Sequence, residues 1–135
     1  MQRWPTLLVL LCALSIVGVG SAAKATPLKG IYGTQIKSSN AGLSGTWLIN
    51  FVADGTYVVV KEPKAKVLLI GGSSTVSGHR VTLVDKVGPL RCTGKSATGT
   101  YSWTITGKSL KFTRVKDTCD GRPLVFASST WTKIG

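Results

Sequence analysis

Residues 99–115 alternate apolar and polar side chains with the period of a half-buried β-strand. Gly107-Lys108 interrupts the pattern and suits a two-residue type II′ turn, whose first central residue needs a positive φ. Pairing outward from this turn predicts four opposed pairs: Thr106 with Ser109, Ile105 with Leu110, Trp103 with Phe112, and Tyr101 with Arg114. A slip of one residue would place Trp103 against a polar residue, so the turn and the pattern predict the same register.

A second hairpin is predicted around residues 45–59. Trp47, Ile49 and Phe51 alternate with polar or smaller residues, and Ala53-Asp54-Gly55 then offers a short loop with a glycine for the left-handed position. A three-residue loop sets Phe51 against Tyr57 and Ile49 against Val59. Both hairpins therefore collect aromatic side chains on one face.

Glycine and proline divide the rest of the chain into further short strands. Pro63 ends the strand that contains Tyr57, because proline cannot donate to a β-ladder. The other predicted strands are a first edge strand at Gly30–Ile36, then Val67–Ile70, Ser73–Val76, Arg80–Val84 and a long last strand at Leu124–Ile134. Seven or eight strands at turn spacings of about 8–12 residues predict an all-β sandwich or barrel, and consecutive hairpins favour an up-and-down order.

The N-terminus has the pattern of a cleaved signal peptide over residues 1–23. Arg3 precedes an apolar run at Leu7–Val19, and small residues allow cleavage after Ala23 or Ala25. The run is shorter than the about 20 residues that span a bilayer, so no transmembrane segment is expected in the mature protein. We expect a secreted or periplasmic monomer with an N-terminal lead-in at 24–42 and a barrel domain at 43–135.

Two cysteines remain after the signal segment, Cys92 and Cys119, and an even count in an exported chain predicts one disulfide. Two buried free thiols are the alternative. Together with the single His79 they do not give the ligand spacing of a zinc site, so no metal or cofactor is predicted. With one histidine, in a turn, catalysis is not expected either; Asp117 and Asp120 form a conceivable carboxylate pair but fit turn capping better.

The charge balance is strongly basic, with 17 basic and 5 acidic residues and a net charge of +12, or +11 after removal of residues 1–23. Such a surface favours anionic partners. The basic residues are scattered, apart from Lys61, Lys64 and Lys66, and no aromatic residue lies within a basic cluster. This argues against nucleic acid and leaves a solvated exterior or an anionic surface as partner.

Several short motifs together resemble a known family. They are Gly45-Thr46-Trp47, Phe51, Asp54-Gly55-Thr56-Tyr57, Cys92, Gly99-Thr100-Tyr101, Trp103, Asp117, Cys119, Gly121-Arg122 and Trp131. Over nearly all of the mature chain this series is similar to the small secreted bacterial lipocalin-like domains of the calycin superfamily. Of the two all-β alternatives, the resemblance implies the barrel: an all-β, single-domain antiparallel up-and-down β-barrel. The resemblance implies that Trp47 closes one end of the barrel beneath a basic residue from a late strand, for which Lys133 is the counterpart, although lysine stands where arginine is usual. The later lipocalin motifs are absent, so the resemblance supports the architecture better than a ligand.

The inward face of the barrel is the predicted binding site for a small apolar or amphipathic ligand. Its residues are Trp47, Ile49, Phe51, Tyr57, Val59, Tyr101, Trp103, Ile105, Leu110, Phe112 and Arg114. Arg114 either meets a ligand carboxylate beside Tyr101 or reaches solvent past it. A small barrel is equally well filled by its own side chains, which leaves a protein-interaction module, such as a small β-barrel protease inhibitor, or adhesion to an anionic surface as the alternatives.

Overall fold

The computed structural model describes residues 28–62 and 67–135. The predicted signal segment, the start of the lead-in and Pro63 lie outside these ranges. The elements in chain order are β1 (Gly30–Ile36), β2 (Gly45–Phe51), β3 (Thr56–Lys61), β4 (Ile70–Ser77), β5 (Arg80–Val87), a 3₁₀ turn (Gly94–Ala97), β6 (Thr98–Thr106), β7 (Ser109–Lys116), α1 (Arg122–Phe126) and β8 (Trp131–Lys133).

The eight strands form a closed antiparallel barrel in which each strand pairs with its neighbours in the sequence and β8 pairs with β1. This confirms the predicted all-β, up-and-down architecture, which is consistent with the calycin-like resemblance. Gly30–Ile36 is a strand as predicted, but it is paired on both sides, with β2 and β8, and is therefore not an edge.

Both predicted hairpin registers are confirmed. Phe51 lies opposite Tyr57 and Ile49 opposite Val59. In the β6–β7 hairpin the four predicted pairs are all present, and Gly107 has the positive φ, +60°, that the turn requires. The apolar alternation and the turn residues therefore determine these two ladders.

The two ends of the barrel differ. Tight turns at 52–55, 78–79 and 107–108 lie at one end, which we call the turn end. The longer connections 37–44, 88–97 and 117–130 lie at the other, the loop end, together with the end of β3 and the start of β4. The disulfide predicted between Cys92 and Cys119 is present and joins two of the loop-end connections.

The predicted long strand Leu124–Ile134 is wrong, because this segment forms the single turn α1 and the short strand β8. Pro123 is tolerated in the first helical turn, where its missing N–H has no partner to lose. The helical turn buries Val125 and Phe126 and leaves Leu124 half exposed, whereas strand alternation would place Leu124 and Phe126 on the same side.

β4 runs without a break through Gly71-Gly72, where the sequence predicted an interruption, and the register with β5 shifts between these two glycines. A Cβ on Gly72 would lie 1.9 Å from the Val84 carbonyl oxygen, so only glycine permits this close approach. Residues 67–69 precede the strand, and β5 extends beyond the predicted Val84 to Val87.

Candidate functional site

The barrel interior is filled by side chains. Nine of the eleven predicted ligand-contacting residues are at most 6% exposed: Trp47, Ile49, Phe51, Tyr57, Val59, Tyr101, Trp103, Leu110 and Phe112. A cavity large enough for a ligand would leave accessible surface on its walls, and Ile49, Tyr57 and Val59 have none. Of the two alternatives for the inward face, packing by its own side chains is the one seen around these residues.

Phe126 completes this packing from the loop end. The α1 turn carries it into the barrel, where its ring centroid lies 5.4 Å from that of Phe112 and 5.8 Å from that of Tyr101. Trp131 lies against it at 6.1 Å and donates its indole N–H to the Phe126 carbonyl at 3.0 Å. The segment predicted to be a strand therefore supplies the plug of the barrel.

The other two predicted contact residues lie at the surface. Ile105 pairs with the buried Leu110 but is 42% exposed, near the tip of its hairpin. Arg114 pairs with Tyr101 as predicted, yet its side chain is exposed, beside a register shift between Thr100 and Tyr101. Arg114 therefore reaches solvent, which is the second of its two predicted placements.

The buried guanidinium of the described chain is that of Arg122, at the start of α1. Its Nε and Nη2 donate to the two carboxylate oxygens of Asp117 at 2.7 and 2.8 Å, a bidentate contact. Its Nη1 lies 2.9 Å from Oδ1 of Asp85. Nη1 and Nη2 also donate to the carbonyls of Ala97 and Ser96 at 2.9 and 2.7 Å, so each of the three guanidinium nitrogens is hydrogen-bonded.

Two tyrosines and two backbone amides complete this cluster. Tyr57 donates its hydroxyl to Asp85, and Tyr101 donates to Asp117. The N–H of Cys92 donates to Asp85 at 2.9 Å and that of Cys119 to Asp117 at 3.0 Å. The disulfide thus fixes the two amides that hold the two buried carboxylates. We call Arg122, Asp85, Asp117, Tyr57 and Tyr101 the buried polar cluster.

Protonation in the buried polar cluster follows from these contacts. Burial and the hydrogen bonds to carboxylates raise the pKa of Tyr57 and of Tyr101 well above the usual phenol range. Burial by itself raises the pKa of Asp117, but the hydrogen bonds from Arg122, Tyr101 and the Cys119 amide outweigh it and lower that pKa. Asp117 is therefore a carboxylate whose acceptor positions are occupied, which leaves it poorly suited to proton transfer.

Asp117 and Asp120 do not form a pair, because Asp117 is buried against Arg122 while Asp120 is exposed. Asp117 caps its own turn through the Cys119 amide, which agrees with the turn-capping interpretation.

His79 is exposed at the opposite, turn end of the barrel, and its ring centroid lies 5.8 Å from that of Trp103. Asp85 and the two cysteine sulfurs lie within 4.8 Å of one another, but sulfurs joined in a disulfide carry no thiolate for a metal.

A cleft of about 260 Å³ opens at the loop end, beside the buried polar cluster. Its lining residues are Asn40, Gly42, Leu43, Trp47, Ile70, Leu90, Cys92, Cys119, Gly121, Arg122 and Val125. We call it the loop-end cleft. Its lining is mainly apolar side chains and the disulfide. Two polar side chains of the lining are already paired: Trp47 donates its indole N–H to the Leu43 carbonyl at 2.8 Å, and Arg122 donates to Asp117. Of the predicted site residues, Trp47 is the one that lines it.

Lys61, and not Lys133, is the basic residue over Trp47. Its Nζ lies 5.5 Å from the centre of the indole ring and donates to the carbonyls of Ala41 and Gly42, each at 3.2 Å. Lys61 lies directly opposite Trp47 in the β2–β3 ladder, whereas Lys133 in β8 pairs with Tyr32. The cover expected from a late strand is therefore supplied by the neighbouring strand.

Sequence reasoning missed Arg122 and Asp85, although each leaves a signal. Asp85 continues the inward alternation of Val81 and Leu83, so strand periodicity alone places a carboxylate inside the barrel. A buried carboxylate requires a cation or several donors. Arg122 has no comparable periodic signal, because its position depends on the helical turn that replaced the predicted strand.

No known protein family, curated protein or solved structure matches this chain. The α-helix of the described ranges has five residues, and no helix there is long and apolar enough to cross a membrane.

Proposed function

We propose that this is an exported, lipocalin-like, non-enzymatic protein that binds a small apolar group in the loop-end cleft rather than along the barrel axis. The proposal rests on one observation: the cleft has a mainly apolar lining, in which the polar side chains of Trp47 and Arg122 are already paired. An apolar group entering it releases water from the apolar lining and leaves these hydrogen bonds in place. The disulfide in the lining suits an oxidising compartment.

The size of the cleft limits the ligand. About 260 Å³ is below the roughly 300–1,000 Å³ of typical small-molecule sites, so the group it takes is one ring or a short alkyl chain. The same size also suits one apolar side chain of a partner protein, and the half-exposed Leu90 on the rim favours this as the second candidate.

Calorimetric titration with a series of straight-chain alkanols tests the small-molecule function. Each added CH₂ that enters the cleft strengthens binding by about 0.8 kcal/mol, or about fourfold, until the cleft is full, after which affinity levels off. If the cleft instead takes a side chain of a partner protein, no saturable binding of alkanols is expected. Absence of saturable binding at every alkanol chain length would overturn the small-molecule proposal.

Substitution of two equally exposed leucines tests whether alkanols bind in the loop-end cleft. Leu90 is 52% exposed and lines the loop-end cleft, whereas Leu124 is 50% exposed and does not. Leu90→Lys is expected to weaken alkanol binding about fivefold, because roughly half of a leucine side chain contributes about 1 kcal/mol of buried surface. Leu124→Lys leaves the affinity unchanged. Equal losses in both variants would place the binding elsewhere.

A further inference from the structure

The outer face of β5, β6 and β7 carries a polar track between two rows of cations. The outward residues of β6 bear hydroxyl groups along the whole strand: Thr98, Thr100, Ser102, Thr104 and Thr106. At about 3.4 Å per residue this track is about 27 Å long. We call it the hydroxyl track.

Cations border the hydroxyl track on both sides. Arg80 and Lys86 are exposed on β5, and Lys111 and Lys116 are exposed on β7. The ladders fix their places: Arg80 lies opposite Ser102, while Lys111 and Lys116 lie opposite Thr104 and Thr100. Neighbouring strands are about 4.8 Å apart, so these three cations stand beside hydroxyl groups of the track, whereas Lys86 lies beyond the last β5–β6 pair, Val84 with Thr98.

No exposed acidic residue opposes these charges on β5, β6 or β7. Asp85 on β5 points inward, and Asp117, directly after β7, is buried; both are held by Arg122. The exposed acids of the described ranges, Asp54, Glu62 and Asp120, lie on other segments. Inward placement of two of the five acids therefore leaves the outer face of these strands uniformly positive.

The loop end of the track forms a shallow hollow of about 350 Å³. Lys95 and Lys116 line it together with the hydroxyl-bearing Thr98, Thr100 and Thr118. Asp117 also reaches its wall, but its carboxylate is engaged by Arg122 and Tyr101. Two ammonium groups and three hydroxyls suit a sulfate, phosphate or carboxylate group.

From this arrangement we propose that the hydroxyl track and its bordering cations bind a linear anionic polysaccharide, with one anionic group seated in the Lys95–Lys116 hollow. A glycan chain offers both anionic groups for the cations and hydroxyl groups for the threonines. This surface is separate from the loop-end cleft and does not depend on the function proposed for it.

Other polyanions fit the same surface less well. Single-stranded nucleic acid is bound by exposed aromatic side chains, and Tyr101, Trp103 and Phe112 on these strands are all buried inward. Double-stranded DNA is read by an element that enters a groove, which the side of a barrel does not provide. A membrane surface takes apolar side chains among its cations, whereas the centre of this track carries hydroxyls.

Two triple variants with the same change of charge test the proposal. The first replaces Lys95, Lys111 and Lys116 with Gln, and the second replaces Lys29, Lys37 and Lys133 with Gln. The second set is exposed on or beside β1 and β8, outside the three strands that carry the track and its bordering cations. Binding is measured by fluorescence anisotropy with a labelled heparin oligosaccharide and with dextran sulfate, at several salt concentrations around 0.15 M.

The track variant is expected to lose about tenfold or more in affinity and to depend less steeply on salt, while the control variant changes less than about twofold. Thr100→Val with Thr104→Val, which keeps the charge and nearly the shape, is expected to weaken binding severalfold. Equal losses in the two triple variants would show that net charge alone acts and would overturn the proposal. Tighter binding of single-stranded DNA or of anionic vesicles than of both glycans would overturn the choice of partner.

Discussion

Replacing Arg122 with methionine tests the buried polar cluster directly. Methionine keeps an apolar stem but removes the positive charge and the N–H donors, which now serve Asp85, Asp117 and the carbonyls of Ser96 and Ala97. Two carboxylates then remain buried without a cation. Removing one partner of a buried ion pair costs about 3–5 kcal/mol, against a total stability of about 5–15 kcal/mol for a domain.

Urea unfolding followed by tryptophan fluorescence, with the disulfide intact, measures this loss. Arg114→Met is the matched control, because Arg114 is exposed and a surface substitution changes the free energy of unfolding by about 0.5 kcal/mol or less. The two variants, at arginines eight positions apart in the sequence, are thus expected to differ in the free energy of unfolding by about 2.5–5 kcal/mol.

Combining Arg122→Met with Asp85→Asn and Asp117→Asn removes the uncompensated charges and is expected to recover at least about half of the lost stability. This variant also keeps the test useful if Arg122→Met alone does not fold. The reasoning is refuted if Arg122→Met lies within about 1 kcal/mol of Arg114→Met, or if the triple variant is less stable than Arg122→Met.

Two further predictions concern the same cluster. A Cβ on Gly99 would lie 2.5 Å from a carboxylate oxygen of Asp117, so Gly99→Ala is expected to destabilise by about 1–3 kcal/mol in urea unfolding. Gly121→Ala, where a Cβ meets nothing within 4 Å, is expected to cost about 0.5 kcal/mol or less, and equal costs would contradict the packing argument. Burial and hydrogen bonding raise the pKa values of Tyr57 and Tyr101, and burial raises that of Tyr32, so the stability they contribute is complete below about pH 10 and is lost as the pH rises further. Absorbance at the tyrosinate band should stay flat through pH 10 in the folded protein and rise near pH 10 in guanidinium; a rise at the same pH in both would contradict the buried hydroxyl contacts.

The hairpins could be predicted to the residue because their information is local. Gly107-Lys108 and Asp54-Gly55 set the turns, and the alternation on either side of each turn agrees with only one register. The number and spacing of such strands predict a sandwich or a barrel, and the motifs that resemble lipocalin-like domains favour the barrel. These features need no knowledge of what lies across the molecule.

The loop end could not be predicted in the same way. Leu124-Val125-Phe126 is an apolar run too short to show a period, so whether it forms a strand or a helical turn depends on the space left at the barrel opening. Because the segment forms the helical turn α1, Arg122 at its start is buried. The hairpin register correctly placed Arg114 opposite Tyr101, but Arg114 is exposed beside a register shift between Thr100 and Tyr101, and opposition alone reveals neither the shift nor the exposure.

β8 holds the barrel closed with very few contacts along its length. It pairs two of its residues with β1 and two with β7, whereas the other neighbouring strands share four to seven pairs. Opening either side of this strand separates the fewest ladder pairs, so amide protons of β8 are expected to exchange with solvent earlier than those of β2 and β6. Such an opening leaves the backbone edges of β1 and β7 that pair with β8 without a partner. Two copies of the chain would therefore exchange strands at this seam.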